Sequence, residues 1–132
     1  MTSSGRGRVL VMDDESIVRD IAGEMLRFMG YEVVLAEDGQ EALSLYADAK
    51  KAGCGFDVVI MDLTVPGGMG GREAIEKLLE LDPVVKAIVS SGYSNDPIMS
   101  SFHEYGFKGA VAKPYRIEDL NRMLQDVLSS DN

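Results

Sequence analysis

Five short apolar runs, each followed by a stretch with helical periodicity, constrain this chain more than any other feature. The runs are Arg8-Val9-Leu10-Val11-Met12, Tyr31-Glu32-Val33-Val34-Leu35-Ala36, Phe56-Asp57-Val58-Val59-Ile60-Met61, Val84 to Ser90 and Phe107 to Ala112. They are rich in β-branched residues and mostly lack a polar face, the pattern of strands covered on both sides. Ile17, Ile21, Met25, Leu26 and Met29 recur at helical spacing and predict a helix over about 15–29, with Gly30 as its stop. Gln40 to Lys51 is a second helix, with Ala42, Leu45 and Tyr46 inward. Arg72 to Leu81 is a third, ended by Asp82-Pro83. Asn95-Asp96-Pro97 opens a weaker fourth helix through Tyr105, and Ile117 to Leu128 is amphipathic. A βα unit repeated five times predicts an α/β domain: right-handed crossovers and a parallel sheet with helices on both faces.

The length of 132 residues suits one domain, taken as 8–130, and 45% hydrophobic residues suffice for one core. Residues 1–7 read as a flexible leader, without the apolar stretch of a signal peptide. Acidic residues outnumber basic ones 22 to 13, giving a net charge of −9. That balance argues against a nucleic-acid surface, which needs clustered Lys and Arg. No apolar run approaches the roughly 18 residues of a membrane span, so no membrane contact is expected, and a cytoplasmic location is the default. Cys54 is the single cysteine, which excludes an intramolecular disulfide. With no charged neighbour in sequence it reads as a bystander thiol.

Chemistry gathers where the runs end. The first ends in Asp13-Asp14-Glu15, the third in Asp62 before a Gly/Pro-rich loop, the fourth in Ser90-Ser91, and the fifth in Lys113-Pro114. In a parallel sheet these ends share one edge, where ligands bind in open α/β folds. Consecutive acids repel one another, and a divalent cation with oxygen ligands, Mg²⁺ above all, relieves this. Helix capping by Asp14 or Ser16 accounts for part of the same pattern. Carboxylates, a hydroxyl and an ammonium at one edge are the parts phosphoryl transfer needs for positioning and charge neutralisation. A carboxylate at the centre of such a set, here Asp62, can be the nucleophile, giving an acyl phosphate.

These motifs resemble the receiver domains of two-component response regulators over about 8–128. The matching residues are Asp13-Asp14-Glu15, Val59-Ile60-Met61-Asp62-Leu63-Thr64-Val65-Pro66 with Gly70-Gly71, Ser91-Gly92, and Lys113-Pro114-Tyr115. The resemblance implies a flavodoxin-like (βα)5 three-layer sandwich with sheet order 2-1-3-4-5. It implies that Asp62 accepts a phosphoryl group from the phosphohistidine of a histidine kinase or histidine phosphotransfer protein. It implies Mg²⁺, or Mn²⁺ in its place, on Asp14, Asp62 and the Thr64 carbonyl, with Asp13 acting through water. Lys113 would pair with Asp62 and then with the phosphate. Family spacing favours Ser91 as the switch hydroxyl, with Ser90 as the fallback. Such a domain is a phosphoacceptor and not a free-standing enzyme. It acts on a downstream target or an attached kinase domain, and wording such as Ser90-Ser91-Gly92-Tyr93 resembles receivers of hybrid histidine kinases.

Two departures stand out. The loop Pro66-Gly67-Gly68-Met69-Gly70-Gly71 is one residue longer than the commonest family form. Ala110 occupies the fifth-strand position where family members often carry an aromatic switch residue, and Tyr93 is the candidate substitute. An aspartate-nucleophile phosphohydrolase is the competing reading, but Thr64 stands where the haloacid-dehalogenase-like type needs a second Asp. A phosphorylation-independent interaction module is a third, against which the retained Asp13, Asp14, Asp62 and Lys113 argue. His103, the only histidine, lacks metal partners in sequence and is expected to be structural.

Overall fold

The computed structural model describes residues 7–93 and 95–129, so most of the expected leader lies outside the described residues. The alternation is realised as β1 (Gly7–Met12), α1 (Ser16–Phe28), β2 (Tyr31–Ala36), α2 (Gly39–Lys51), β3 (Val58–Asp62), α3 (Gly71–Leu81), β4 (Ala87–Ser91), α4 (Pro97–Ser100), a 3₁₀ turn (Phe102–Tyr105), β5 (Gly109–Ala112) and α5 (Ile117–Leu128). The strands form one sheet in the order β2-β1-β3-β4-β5, and every pairing is parallel. This is the flavodoxin-like order expected from the resemblance.

Strand periodicity divides the core between the two faces. Leu10, Met12, Val59, Met61, Ala87 and Val89 pack on one side with Ala42 and Tyr46 of α2 and with Ala74, Ile75 and Leu78 of α3. Val9, Val11, Val58, Ile60 and Ile88 pack on the other with Ala22 and Leu26 of α1 and with Leu120, Leu124 and Val127 of α5. β3 and β4 are buried along their whole length, as their apolar composition requires.

Several expectations are corrected. The inner face of α1 is turned relative to the sequence reading: Ala22 and Leu26 are buried, whereas Ile17 is 73% and Ile21 46% exposed. Spacing alone marks an apolar stripe but not which edge of it meets the sheet. The weak fourth helix is two pieces, α4 and the 3₁₀ turn, with Ser101 out of helical geometry between them (φ −118°, ψ 33°). The Ser100 hydroxyl donates to the Pro97 carbonyl at 3.2 Å, the local side-chain bonding that weakens helices at such residues. The third strand starts two residues later than expected and includes Asp62 itself. Asp57 instead turns its carboxylate to the Arg8 amide at 2.7 Å. The fourth and fifth strands also start later, at Ala87 and Gly109, leaving Val84 exposed. Among the described residues no helix is long and apolar enough to cross a membrane.

Candidate phosphoryl-transfer site

The carboxyl edge of the sheet carries a cleft of about 590 Å³ lined by Asp14, Glu15, Val18, Asp62, Thr64, Ser91 and Lys113 among others. Each wall follows from the register. β3 lies at the middle of the sheet with β1 and β4 on either side, so Asp62 emerges between Met12-Asp13 and Ser90-Ser91. β5, outside β4, brings Lys113 over the same point through the Lys113 amide, which donates to the Ser91 carbonyl at 2.9 Å.

The loop after Asp62 folds back tightly over the strand end. The Gly71 amide donates to the Leu63 carbonyl at 3.1 Å, and the Gly39 amide at the start of α2 donates to Met69 at 2.7 Å. A Cβ at Gly70 would run into the Leu63 carbonyl oxygen, and one at Gly71 would stand 2.9 Å from the Asp62 carbonyl oxygen. These two positions need glycine for close backbone approach.

One oxygen from each of Asp13, Asp14 and Asp62 lies within 4.8 Å of the others. Asp13 is fully buried, Asp62 is buried and Asp14 is exposed at the mouth. The Asp13 carboxylate accepts from the Glu15 amide at 2.9 Å, and the Arg19 guanidinium donates to the Asp13 carbonyl at 2.7 Å. Asp13 therefore ties up a donor at the start of α1, and neither Asp14 nor Ser16 caps it as expected; the cap position is Glu15, without a side-chain bond. Arg19 was not singled out from sequence. Its only signal was a basic residue one turn into the helix that follows the acids.

The Lys113 ammonium donates to Asp13 Oδ2 at 3.0 Å and to Asp62 Oδ1 at 3.1 Å. The family resemblance implies the pairing with Asp62; the bond to Asp13 is an addition. One cation shared between two buried carboxylates, with a third beside them, cannot neutralise the group. Accordingly burial, then the Asp13 charge, push the Asp62 carboxyl up to about 6; Lys113 pulls it back, and its bond with Asp14 adds to the rise. Burial works against the Lys113 charge, but the bonds to and charges of Asp13 and Asp62 outweigh it, so the ammonium is held above its ordinary range. An all-oxygen donor set carrying surplus negative charge suits a hard divalent cation such as Mg²⁺.

The two serines face opposite ways. Ser91 lines the cleft, where its hydroxyl accepts from the Tyr93 amide at 3.0 Å. Ser90 is fully buried and bonds the Tyr115 hydroxyl at 2.7 Å, away from the cleft. Ala110 packs on the face shared with Phe102 and Tyr105. The Tyr93 ring is 75% exposed, so it does not fill the place of the absent strand-five aromatic by packing. His103 lies in the 3₁₀ turn against Phe102, ring centroids 4.3 Å apart, away from the carboxylates. Cys54 is exposed.

Residues 9–125 match the family described as the response regulator receiver domain. The chain is similar to the chemotaxis protein CheY of Thermotoga maritima, 32% identical over 121 residues that cover 88% of this chain and 96% of that protein. In fold it is similar to CheY in the CheX–CheY–BeF3–Mg²⁺ complex of Borrelia burgdorferi. That likeness has a TM-score of 0.84 at 22% identity and covers 93% of this chain and 90% of that one. It is also similar in fold to the receiver domain of a Pseudomonas aeruginosa sensor histidine kinase with magnesium coordinated in its active-site cleft. There the TM-score is 0.82 at 23% identity, over 96% of this chain and all of that one.

Proposed function

The chain belongs to the response regulator receiver family and is a receiver domain of two-component signalling, and on that premise we propose that Asp62 is its phosphoacceptor. The observation that carries this reading is the meeting of Asp13, Asp14, Asp62 and Lys113 at one edge of the sheet, open to a cleft. An Asp62 carboxylate oxygen attacks the phosphorus of a phosphohistidine. The new O–P bond forms as the P–N bond breaks, and the imidazole leaves with the electron pair and takes a proton from solvent.

Receiver domains bind Mg²⁺ at an acidic pocket, and the donors here fit it. Asp14, Asp62 and the Thr64 carbonyl would hold the ion directly and Asp13 through water, with Mn²⁺ as a substitute. When bound, the cation neutralises charge building on the transferring oxygens. The protein does the rest. Asp13 and Asp14 keep the acceptor among oxygens that attract the cation. Lys113 already donates to Asp62 and is in reach of a phosphoryl oxygen there. The Ser91 hydroxyl, at the cleft wall, donates to another. Phosphorylation then shifts a two-state equilibrium and alters the face built by α4, β5 and α5.

The phosphodonor is a histidine kinase or histidine phosphotransfer protein, and the output is a downstream target or an attached kinase domain of a hybrid enzyme. The domain, whose first strand already includes Gly7 of the expected leader, promotes its own phosphorylation and dephosphorylation and works in the cytoplasm.

Incubation with Mg²⁺ and acetyl phosphate, followed by intact mass measurement, tests the reading. One added phosphoryl group is expected, absent in Asp62→Asn and absent with EDTA. A label on His103 or on serine, or sustained turnover of ordinary phosphate monoesters, would sink it.

A further inference from the structure

The side chain of Ser90 has no part in the cleft, yet it is the fully buried partner of another buried hydroxyl. Tyr115, 7% exposed, reaches under the site from the segment that follows Lys113, and the two oxygens are 2.7 Å apart. Tyr115 belongs to the apolar cluster of that face with Ile60, Ile88, Val111 and Leu120, and the charges of Asp13, Lys113 and Asp62 are near enough to act on its hydroxyl. In such surroundings a hydroxyl pair adds little stability over a pair of apolar groups of the same shape. What it adds is a directional contact at one fixed length.

The backbone shows what that contact holds. The Ser90 carbonyl accepts from the amide of Leu63, the residue after Asp62, at 2.8 Å. The Ser91 carbonyl accepts from the Lys113 amide at 2.9 Å. Ser90 thus grips the chain leaving the acceptor through its carbonyl and the chain leaving the lysine through its hydroxyl. The segment from Lys113 to Tyr115 is pinned to β4 at both ends, and Lys113 Nζ is suspended between Asp13 and Asp62 from that segment.

Building on the reading of Asp62 as phosphoacceptor, we infer that the Ser90–Tyr115 hydrogen bond positions Lys113 for phosphoryl transfer. Tyr115 and Ser90 are positioning residues; they act through Lys113 and touch neither donor nor cation. Burial, first, holds the Tyr115 hydroxyl up to about 12, so it keeps its proton at any working pH and the contact does not switch with pH.

The test compares wild type, Tyr115→Phe, Ser90→Ala, the double variant, Lys113→Ala, and Lys113→Ala with Tyr115→Phe. Each is labelled with acetyl phosphate and Mg²⁺ across a range of donor concentrations. A misplacement of the lysine by a fraction of an ångström predicts a saturating rate lower by about tenfold in Tyr115→Phe, with the half-saturating donor concentration nearly unchanged. Ser90→Ala and the double variant fall by the same factor, because all three lose one bond. The double variant leaves no hydroxyl unpaired, which keeps the comparison valid if either single variant folds poorly. In the Lys113→Ala background, Tyr115→Phe has no further effect, a result that a general weakening of the fold would not produce. Wild-type rates in the double variant, or an undiminished tenfold loss in the Lys113→Ala background, overturn the inference and leave Asp62 as acceptor. Failure of the wild type to take label on Asp62 overturns the acceptor reading and this inference with it.

Discussion

Replacing Asp62 with Asn should stabilise the cation-free protein, and the gain should grow with pH. The reason is the surplus charge around Lys113: one ammonium faces Asp13 and Asp62, with Asp14 beside them. In the native state the Asp62 carboxyl titrates at about 6 against an ordinary 3.8, so the fold holds a proton that the unfolded chain has released. A raised carboxyl leaves stability intact below the unfolded value, and stability is lost as pH rises through the native one. The difference between 3.8 and about 6 corresponds to at most about 3 kcal/mol. The cleft is open to solvent at the exposed Asp14, so screening reduces this to about 1–2 kcal/mol. For a domain of this size that is about 3–8 °C in Tm. The Asn carboxamide keeps an oxygen for Lys113 and removes the charge. Thermal unfolding in EDTA between about pH 4 and pH 8 reads the difference. Wild type and Asp62→Asn should differ least at the acid end, separate as pH rises from 3.8 towards about 6 and stay apart by a constant amount above that, with the variant higher. Adding Mg²⁺ at the alkaline end should raise wild type more than the variant, since binding to the native state stabilises by mass action. A pH-independent difference, or a variant less stable throughout, would refute the picture of an under-neutralised carboxylate cluster.

Lys113→Met should act in the opposite direction. Removing this ammonium leaves buried Asp13 and Asp62 without their ion-pair partner and costs about 3 kcal/mol without Mg²⁺, visible as a lower urea midpoint that Mg²⁺ partly restores. Gly70→Ala drives a Cβ into the Leu63 carbonyl, while Gly55→Ala meets no atom within 4 Å. The first should cost about 2 kcal/mol or more and slow labelling of Asp62; the second should leave Tm and labelling unchanged. Tyr46→Phe removes the hydroxyl that donates to Asp82 at 2.6 Å between α2 and the end of α3. It should cost about 1.5–2 kcal/mol in urea unfolding and leave the labelling rate intact.

Much of this architecture was legible because strong local signals coincided. Apolar, β-branched runs such as Val58 to Met61 are buried whatever surrounds them, and alternation with amphipathic segments leaves a parallel sheet as the economical solution. The edge residues followed from that: once the strands are parallel, Asp13, Asp62, Ser91 and Lys113 must end together. Signals weaker than these were misread. The α1 stripe runs wide enough to pack in more than one rotation, and contact with β1 and β2 leaves Ile17 outside. The fourth helix has a proline start and two adjacent serines, so its continuity depended on packing that the sequence does not state.

The sequence by itself determined the fold class, the strand-end carboxylates and the strand-end Lys113, because hydrophobic periodicity and charge are properties of residues in order. Only the tertiary structure decided relations across the sheet. Ser90 and Ser91 are chemically the same, and alternation along a strand says only that they face opposite sides. The register against β3 and β5 set Ser91 at the cleft and Ser90 against Tyr115. That Lys113 would divide its bonds between Asp13 and Asp62 was likewise unreadable from spacing, since an ammonium pairs with whichever carboxylates the fold brings within 3 Å or so. Pairwise geometry between distant residues is a property of the assembled sheet, and the electrostatics of Asp62 follow from that geometry.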